Sequence, residues 1–282
     1  MHRLHLPLAV LIATTFSMPL LAQDASLPDW VLYERGERAR REGRLAEALR
    51  LYSDALLARP VYPEAQLGTA RVYRAGGDSL LAERYYRRAV EQAGALAIPD
   101  EVFRIESELA GLLRDTNRQD EAIAILEDLT VRDPIFGRRD NLGQRAAMFE
   151  LLLGSGLHRV LVLYRLDFPQ ALNAHAELGD YYLLSHQPGA SELAAEHLLF
   201  ATVEVASRAI RAIIERDFSY EFTTLEDFLI VAQTYPEVND YIRTYQLRSL
   251  LFGLAVALEG TRMDNAAERA GEIRAALAAA SF

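Results

Sequence analysis

Lysine and cysteine are both missing from this chain, so all 30 basic residues are arginine. Without lysine there is no Schiff base, no amine nucleophile and no phosphate-gripping lysine of the Walker type. Arginine codons of a GC-rich genome account for this bias more simply than a functional demand for guanidinium. Without cysteine there are no disulfides and no thiolate metal sites. Positive charge is also scarce: the formal net charge is -10, which excludes general nucleic-acid binding, since that needs a cationic surface. No stretch alternates apolar and polar residues over a useful length, so the chain reads as all-α. At 282 residues, 51% hydrophobic and 25% charged, it is a folded protein with room for a sizeable core.

The first 22 residues, MHRLHLPLAVLIATTFSMPLLA, have the layout of a secretory signal. Arg3 and the start amine form the positive end, an apolar run follows from Leu6 to Thr15, and Pro19 precedes a cut after Ala22. A retained membrane anchor is the competing reading, but two prolines and a short run oppose it, since spanning takes about 20 apolar residues. No cysteine follows to accept a lipid. The expectation is a periplasmic protein with a cleaved signal and a short mobile leader at 23–28. An anchor left uncut would be its only membrane contact.

From Leu32 to Pro60 the chain reads LYERGERARREGRLAEALRLYSDALLARP. Small residues stand at Gly36, Ala48 and Ala55, an aromatic at Tyr52, a turn glycine at Gly43 and a closing proline at Pro60. A shift of 34 residues brings up Ala70, Ala82, Ala89, Tyr86 and Gly77 in the same roles. Small residues at this period let paired helices approach closely, while a bulky one fills the hole beside them. The pattern resembles the tetratricopeptide repeat (TPR) family, which implies a right-handed superhelical solenoid of helix hairpins. Three units are expected over 29–136: one at 29–62, one at 63–96 and, after the insertion Gly94 to Asp100, one at 103–136. In the third, Ala110, Ala122, Leu126 and Pro134 keep their places, whereas Leu129 replaces an alanine and implies adjusted packing.

Degenerate pairs are expected over 137–216. One comprises a helix from Asn141 to Leu153, the turn Gly154-Ser155-Gly156 and a second helix closing near Pro169. The next begins near Ala171, places Leu178, Gly179 and Tyr182 on the repeat pattern, turns at His186 to Gly189 and continues as a long helix, Ser191 to about Arg216. After a break at Asp217 to Glu221, Thr224 caps a helix, and a last pair, Val238–Glu259 and Asp264–Ala280, flanks Gly260. Residues 217–282 are expected to cap the open end of the solenoid, with a separate helical interaction domain as the alternative.

Catalytic chemistry has little to stand on. His158, His175, His186 and His197 match no zinc motif and read as unrelated to one another. Gly154-Ser155-Gly156 is a turn rather than a nucleophile elbow, and solvated helix faces account for most of the 40 acidic residues. Neither enzyme activity nor a metal or other cofactor is expected.

The resemblance implies a peptide-binding groove lined by the free faces of the first helices. Here that lining would be Trp30, Tyr33, Glu37, Arg40 and Arg41, then Glu64, Leu67, Arg71, Arg74 and Ala75, then Arg104, Ser107, Gly111, Arg114 and Asp115. Arginine and aromatic residues anchor interfaces, and guanidinium grips carboxylates bidentately. An acidic peptide or helix of a periplasmic or envelope protein is the expected partner, with changes at Arg71, Arg74 and Arg104 expected to spare the fold. The bland alternative is that these arginines solubilise helix faces, pairing with glutamates one turn away. The family's clamp for C-terminal carboxylates is not reproduced, since only Arg104 matches it in type. A weaker resemblance, over 29–136, is to periplasmic TPR proteins of the flagellar motor collar. The leading expectation is an assembly scaffold. Alternatives are an accessory of solute uptake that docks a binding protein, with Trp30, Tyr33 or Leu67 facing an apolar cavity, and a partner of cell-wall enzymes.

Overall fold

The computed structural model describes residues 27–132, 148–149, 152–153, 172–217 and 222–280. The described residues are helical, with no strand among them. The protein is an all-α solenoid of helix hairpins.

Three hairpins open it: α1 (Asp29–Arg41) with α2 (Leu45–Ala58), α3 (Pro63–Ala75) with α4 (Ser79–Glu91), and α5 (Glu101–Asp115) with α6 (Gln119–Arg132). Each turn inside a hairpin uses a left-handed residue: Gly43 at φ 76, Gly77 at φ 81 and Asn117 at φ 61. The first two are glycines because no Cβ opposes that conformation; asparagine is the side-chain-bearing residue that tolerates it best. Asp78 caps α4 by accepting the Leu81 N–H at 3.0 Å. The insertion before α5 begins as a 3-10 turn, Ala93–Ala95.

The repeat pattern is a packing device. Tyr52 of α2 has no exposed surface, and its ring lies between the backbones of α1 and α3. A Cβ added at Gly36 or at Gly68 would lie 2.6 Å from that ring. Ala48, Ala55, Ala82, Ala89 and Ala110 are all buried, and Leu129 is accommodated in the core.

The hairpin α7 (Leu172–Leu184) and α8 (Ala190–Ile214) comes next in the described chain. Leu178, Gly179 and Tyr182 are buried as the pattern predicts, and Gly189 at φ 81 makes the turn. The α7 helix packs directly on the third hairpin: Arg114 of α5 binds Glu177 at 2.8 Å, and Tyr182 donates to Glu127 of α6. It therefore takes the place after α5. The unit expected over 138–170 lies almost wholly outside the described residues, as do the expected signal and most of the leader.

Thr224 accepts the Asp227 N–H at 3.1 Å and starts α9 (Leu225–Thr234). The helix expected over Val238–Glu259 is two: α10 (Pro236–Thr244) and α11 (Leu247–Glu259), divided by Gln246 at φ 51. Ile242 and Leu247 are both fully buried, yet a spacing of five would place them on different faces of one helix. The kink returns both to the core. The last helix, α12 (Ala266–Ala279), packs back on α11.

The C-terminal region reuses the packing of the first hairpins. Leu198 of α8 stands where Tyr52 stands in α2. A Cβ on Gly179 of α7 would meet it at 2.5 Å, and one on Gly253 of α11 at 3.2 Å. Thus α11 occupies the place of the next first helix and α12 that of its partner, with α9 and α10 inserted before them. No described helix is long and apolar enough to cross a membrane.

Candidate functional site: the face of the first helices

The helices α3, α5 and α7 are joined side by side through side chains of the expected groove. Arg71 of α3 binds Glu108 of α5 through both Nε, at 2.9 Å, and Nη2. Tyr86 of α4 donates to the same carboxylate at 3.0 Å. Arg74 reaches Asp115 at 2.6 Å and the Glu108 carbonyl at 3.2 Å, crossing α5 above Gly111, where a Cβ would lie 3.5 Å from its guanidinium. Arg114 continues the series to Glu177.

Burial pushes the Glu108 carboxyl up, but hydrogen bonds from Arg71 and Tyr86 and the Arg71 charge outweigh it and hold the group below its ordinary value. Glu37 behaves alike: burial opposes ionisation, and hydrogen bonds from Arg40 and Tyr52 prevail. Its partners lie at 2.8 Å (Arg40 Nη2) and 2.6 Å (Tyr52 Oη). The Tyr52 and Tyr33 hydroxyls are pushed far up, chiefly by burial. Glu177 goes the other way, since burial exceeds the help it has from Arg114. Asp180, one turn further on α7, is raised by burial alone.

The expected groove residues thus divide. Trp30 is 61% exposed at the start of α1. Arg41 is exposed and donates to the Glu37 carbonyl at 3.3 Å. Tyr33 is used internally, with ring centroids 5.4 Å from Tyr62 and 6.1 Å from Tyr52. Leu67 is 2% exposed and belongs to the core. Glu64 is buried, accepting the Ala97 N–H at 2.8 Å from the insertion before α5. Arg104 pairs with Glu101 one turn back on α5; like Arg40 and Arg41, which both bind Glu37, it has its partner on its own helix.

Arg71, Arg74 and Arg114 instead bind carboxylates 37, 41 and 63 residues away. The pairing is between units, which neither a free cationic groove nor solvated helix faces would show. Reversing Arg71 would not spare the fold, because its side chain is only 17% exposed and facing Glu108.

The structure also joins two histidines that read as unrelated from their spacing alone. His175 and His197 meet Nδ1 to Nδ1 at 2.8 Å, fully inside the α7–α8 hairpin, and Tyr182 stacks on His197 at 5.9 Å. One ring must donate while the other accepts, so the contact excludes the doubly protonated pair. Their spacing of 22 residues crosses a turn, and no local motif marks it. Among the described residues no group of three or more His, Cys, Asp or Glu side chains is placed to hold a metal ion.

No model of a known protein family matches the chain. An uncharacterized protein of Treponema pallidum (strain Nichols) is 26% identical over 183 residues, which is 63% of this chain and 47% of that protein. The match therefore spans about half the length of that relative. A second uncharacterized protein, from Borreliella burgdorferi, is 23% identical over 273 residues, covering 87% of this chain and 83% of its own. Among solved structures, Pseudomonas aeruginosa pilF is similar at a TM-score of 0.33 and 16% identity, over 88% of this chain and 96% of that one.

Proposed function

We propose that this chain is a non-enzymatic scaffold that binds other proteins of the cell envelope and supports assembly of a larger complex. The carrying observation is the row of first helices, in which ion pairs between units fasten α3 to α5 and α5 to α7, with a large aromatic left in solvent on α1 at its start. A face braced in this way keeps its shape without a partner, so little ordering entropy opposes binding. Trp30 is the most evident anchor on it, because exposed tryptophan is among the side chains that contribute most to interfaces.

The compartment we propose is the periplasm, reached through the signal-like residues 1–22. The assembly we propose is the periplasmic collar of the flagellar motor, on the strength of the sequence resemblance over 29–136. The solute-uptake alternative has less support. It asks for Trp30, Tyr33 or Leu67 to face a ligand cavity, and of these Leu67 and Tyr33 are taken up by the protein's own packing.

The test is crosslinked co-purification of the tagged chain from its native envelope, repeated with Trp30→Ser. A reproducible set of assembly proteins, at least tenfold depleted by the substitution, is expected. Recovery of a transporter binding protein alone, or of no protein, overturns the scaffold reading. Trp30 is the one tryptophan of the sequence, so its fluorescence reports directly on this face. A blue shift on adding a purified partner is expected, and an unmoved spectrum with a bound partner would place binding elsewhere.

A further inference from the structure

The inserted helices α9 and α10 and the start of α11 enclose a surface cleft of about 430 Å³. It is lined by Gln233, Asn239, Ile242, Arg243, Gln246, Arg248 and Ser249. Ile242 is buried and forms an apolar floor. Gln233 is already engaged, donating to the Leu229 and Ala280 carbonyls. The other polar side chains are not: among the described residues, Asn239, Arg243, Gln246, Arg248 and Ser249 form no side-chain hydrogen bond or ion pair.

That contrasts with the first-helix face, where Arg40, Arg71, Arg74, Arg104 and Arg114 each hold a carboxylate of the same chain. Arg243 and Arg248 are five residues apart, which on one straight helix would point them well away from each other. The kink at Gln246 that buries Ile242 and Leu247 also places both arginines in the lining of one cleft. In a protein of net charge -10, two unpaired arginines lining a cleft with an apolar floor form a local site for negative charge.

We propose that this cleft binds an acidic peptide segment of a partner protein, with a carboxylate held between Arg243 and Arg248. Guanidinium matches a planar carboxylate with paired N–H donors. The free amides of Asn239 and Gln246 both donate and accept, so they suit a peptide backbone; a phosphate would offer them acceptors only. Ile242 accommodates the methylene groups of an aspartate or glutamate. The proposal rests on the scaffold reading and gives it a second contact, on the insertion rather than on the face of the first helices.

The experiment titrates the full chain with a fluorescein-labelled octapeptide of alternating Asp and Gly, and with the same peptide carrying Asn for Asp, followed by anisotropy. Saturable binding of the acidic peptide is expected, with the Asn peptide at least tenfold weaker. The double variant R243Q/R248Q should lose at least tenfold in affinity while its circular dichroism matches the parent, because both side chains are exposed. Asn239→Ala, which removes no charge, should weaken binding by a smaller factor and keep its salt dependence.

The proposal is overturned if no binding occurs at millimolar peptide, if both peptides bind alike, or if R243Q/R248Q binds as the parent does. It is equally overturned if inorganic phosphate displaces the peptide at concentrations below the peptide's own dissociation constant, which would mark a phosphate site. Partner capture by the same R243Q/R248Q chain separates the two readings. Capture retained by this variant although it no longer binds peptide removes the cleft as the partner's contact and leaves the scaffold; peptide binding by the parent chain without any capture removes the scaffold and leaves the cleft.

Discussion

Tyr52→Ala is expected to destabilise the protein by about 4 kcal/mol, in the middle of the range for emptying a buried aromatic site. The ring has no exposed surface and is the wedge on which two helices rest, since Gly36 and Gly68 both lie against it. Neither glycine brings a side chain that could move into the void, so collapse would require α1 and α3 themselves to shift. The hydroxyl also donates to Glu37 at 2.6 Å, and that carboxylate would keep only Arg40. The measurement is urea unfolding of the full chain with amide exchange resolved by unit. Exchange protection should fall first in α1 and α2, because each hairpin of a solenoid is held mainly by its neighbours. Tyr52→Phe keeps the wedge and removes one hydrogen bond, so about 1 kcal/mol is expected. If Tyr52→Ala costs no more than Tyr52→Phe, the ring is not the wedge and the packing account of the repeat is wrong.

The same device was legible in the sequence because it is local and periodic. Gly36, Tyr52, Gly43 and their counterparts one repeat on mark helix crossings and turns at fixed offsets, and the helices follow at those offsets. Leu178, Gly179 and Thr224 were readable for the same reason. The break at Gln246 was not, because no glycine or proline signals it; two buried residues at an unhelical spacing, Ile242 and Leu247, are its only trace. The expected groove was the least legible part. Counting positions along a helix tells which residues share a face, but not what stands opposite. Glu108 and Asp115 opposite Arg71 and Arg74 turn supposed binding groups into fastenings between units. Leu67 passes into the core because α3 is enclosed by its neighbours along much of its length. The unengaged arginines, Arg243 and Arg248, lie where the repeat pattern is interrupted, so no positional rule could have singled them out.

Glu108→Ala is expected to cost about 2 kcal/mol, and the cost should be shared with Arg71 rather than added to it. Removing the carboxylate leaves Arg71, whose side chain is only 17% exposed, without its partner, and an uncompensated charge at a buried pair is what makes such deletions expensive. The cost falls below the fully buried range because 25% of the Glu108 side chain still reaches water. Arg71→Met removes the charge while keeping some of the packing, and the double variant Arg71→Met with Glu108→Ala should be more stable than the sum of the two losses predicts. A coupling of at least about 1 kcal/mol in this cycle is expected; additivity would mean that the contact joining α3 to α5 contributes nothing. The pH dependence supplies an independent sign. Glu108 is held below its ordinary value of 4.5, so its contribution is complete above that pH and is lost as pH falls through the lowered folded value. The parent should therefore weaken on its acid limb more steeply than Glu108→Gln. Glu177 and Glu106 act in the opposite direction, since burial raises both and protonating them as pH falls relieves a cost. Glu177→Gln should accordingly steepen that limb relative to the parent, although Arg114 would lose its partner. Opposite changes in slope from two carboxylates of the same face would show that Glu108 fastens units together through its charge, whereas Glu177 is ionised against its surroundings.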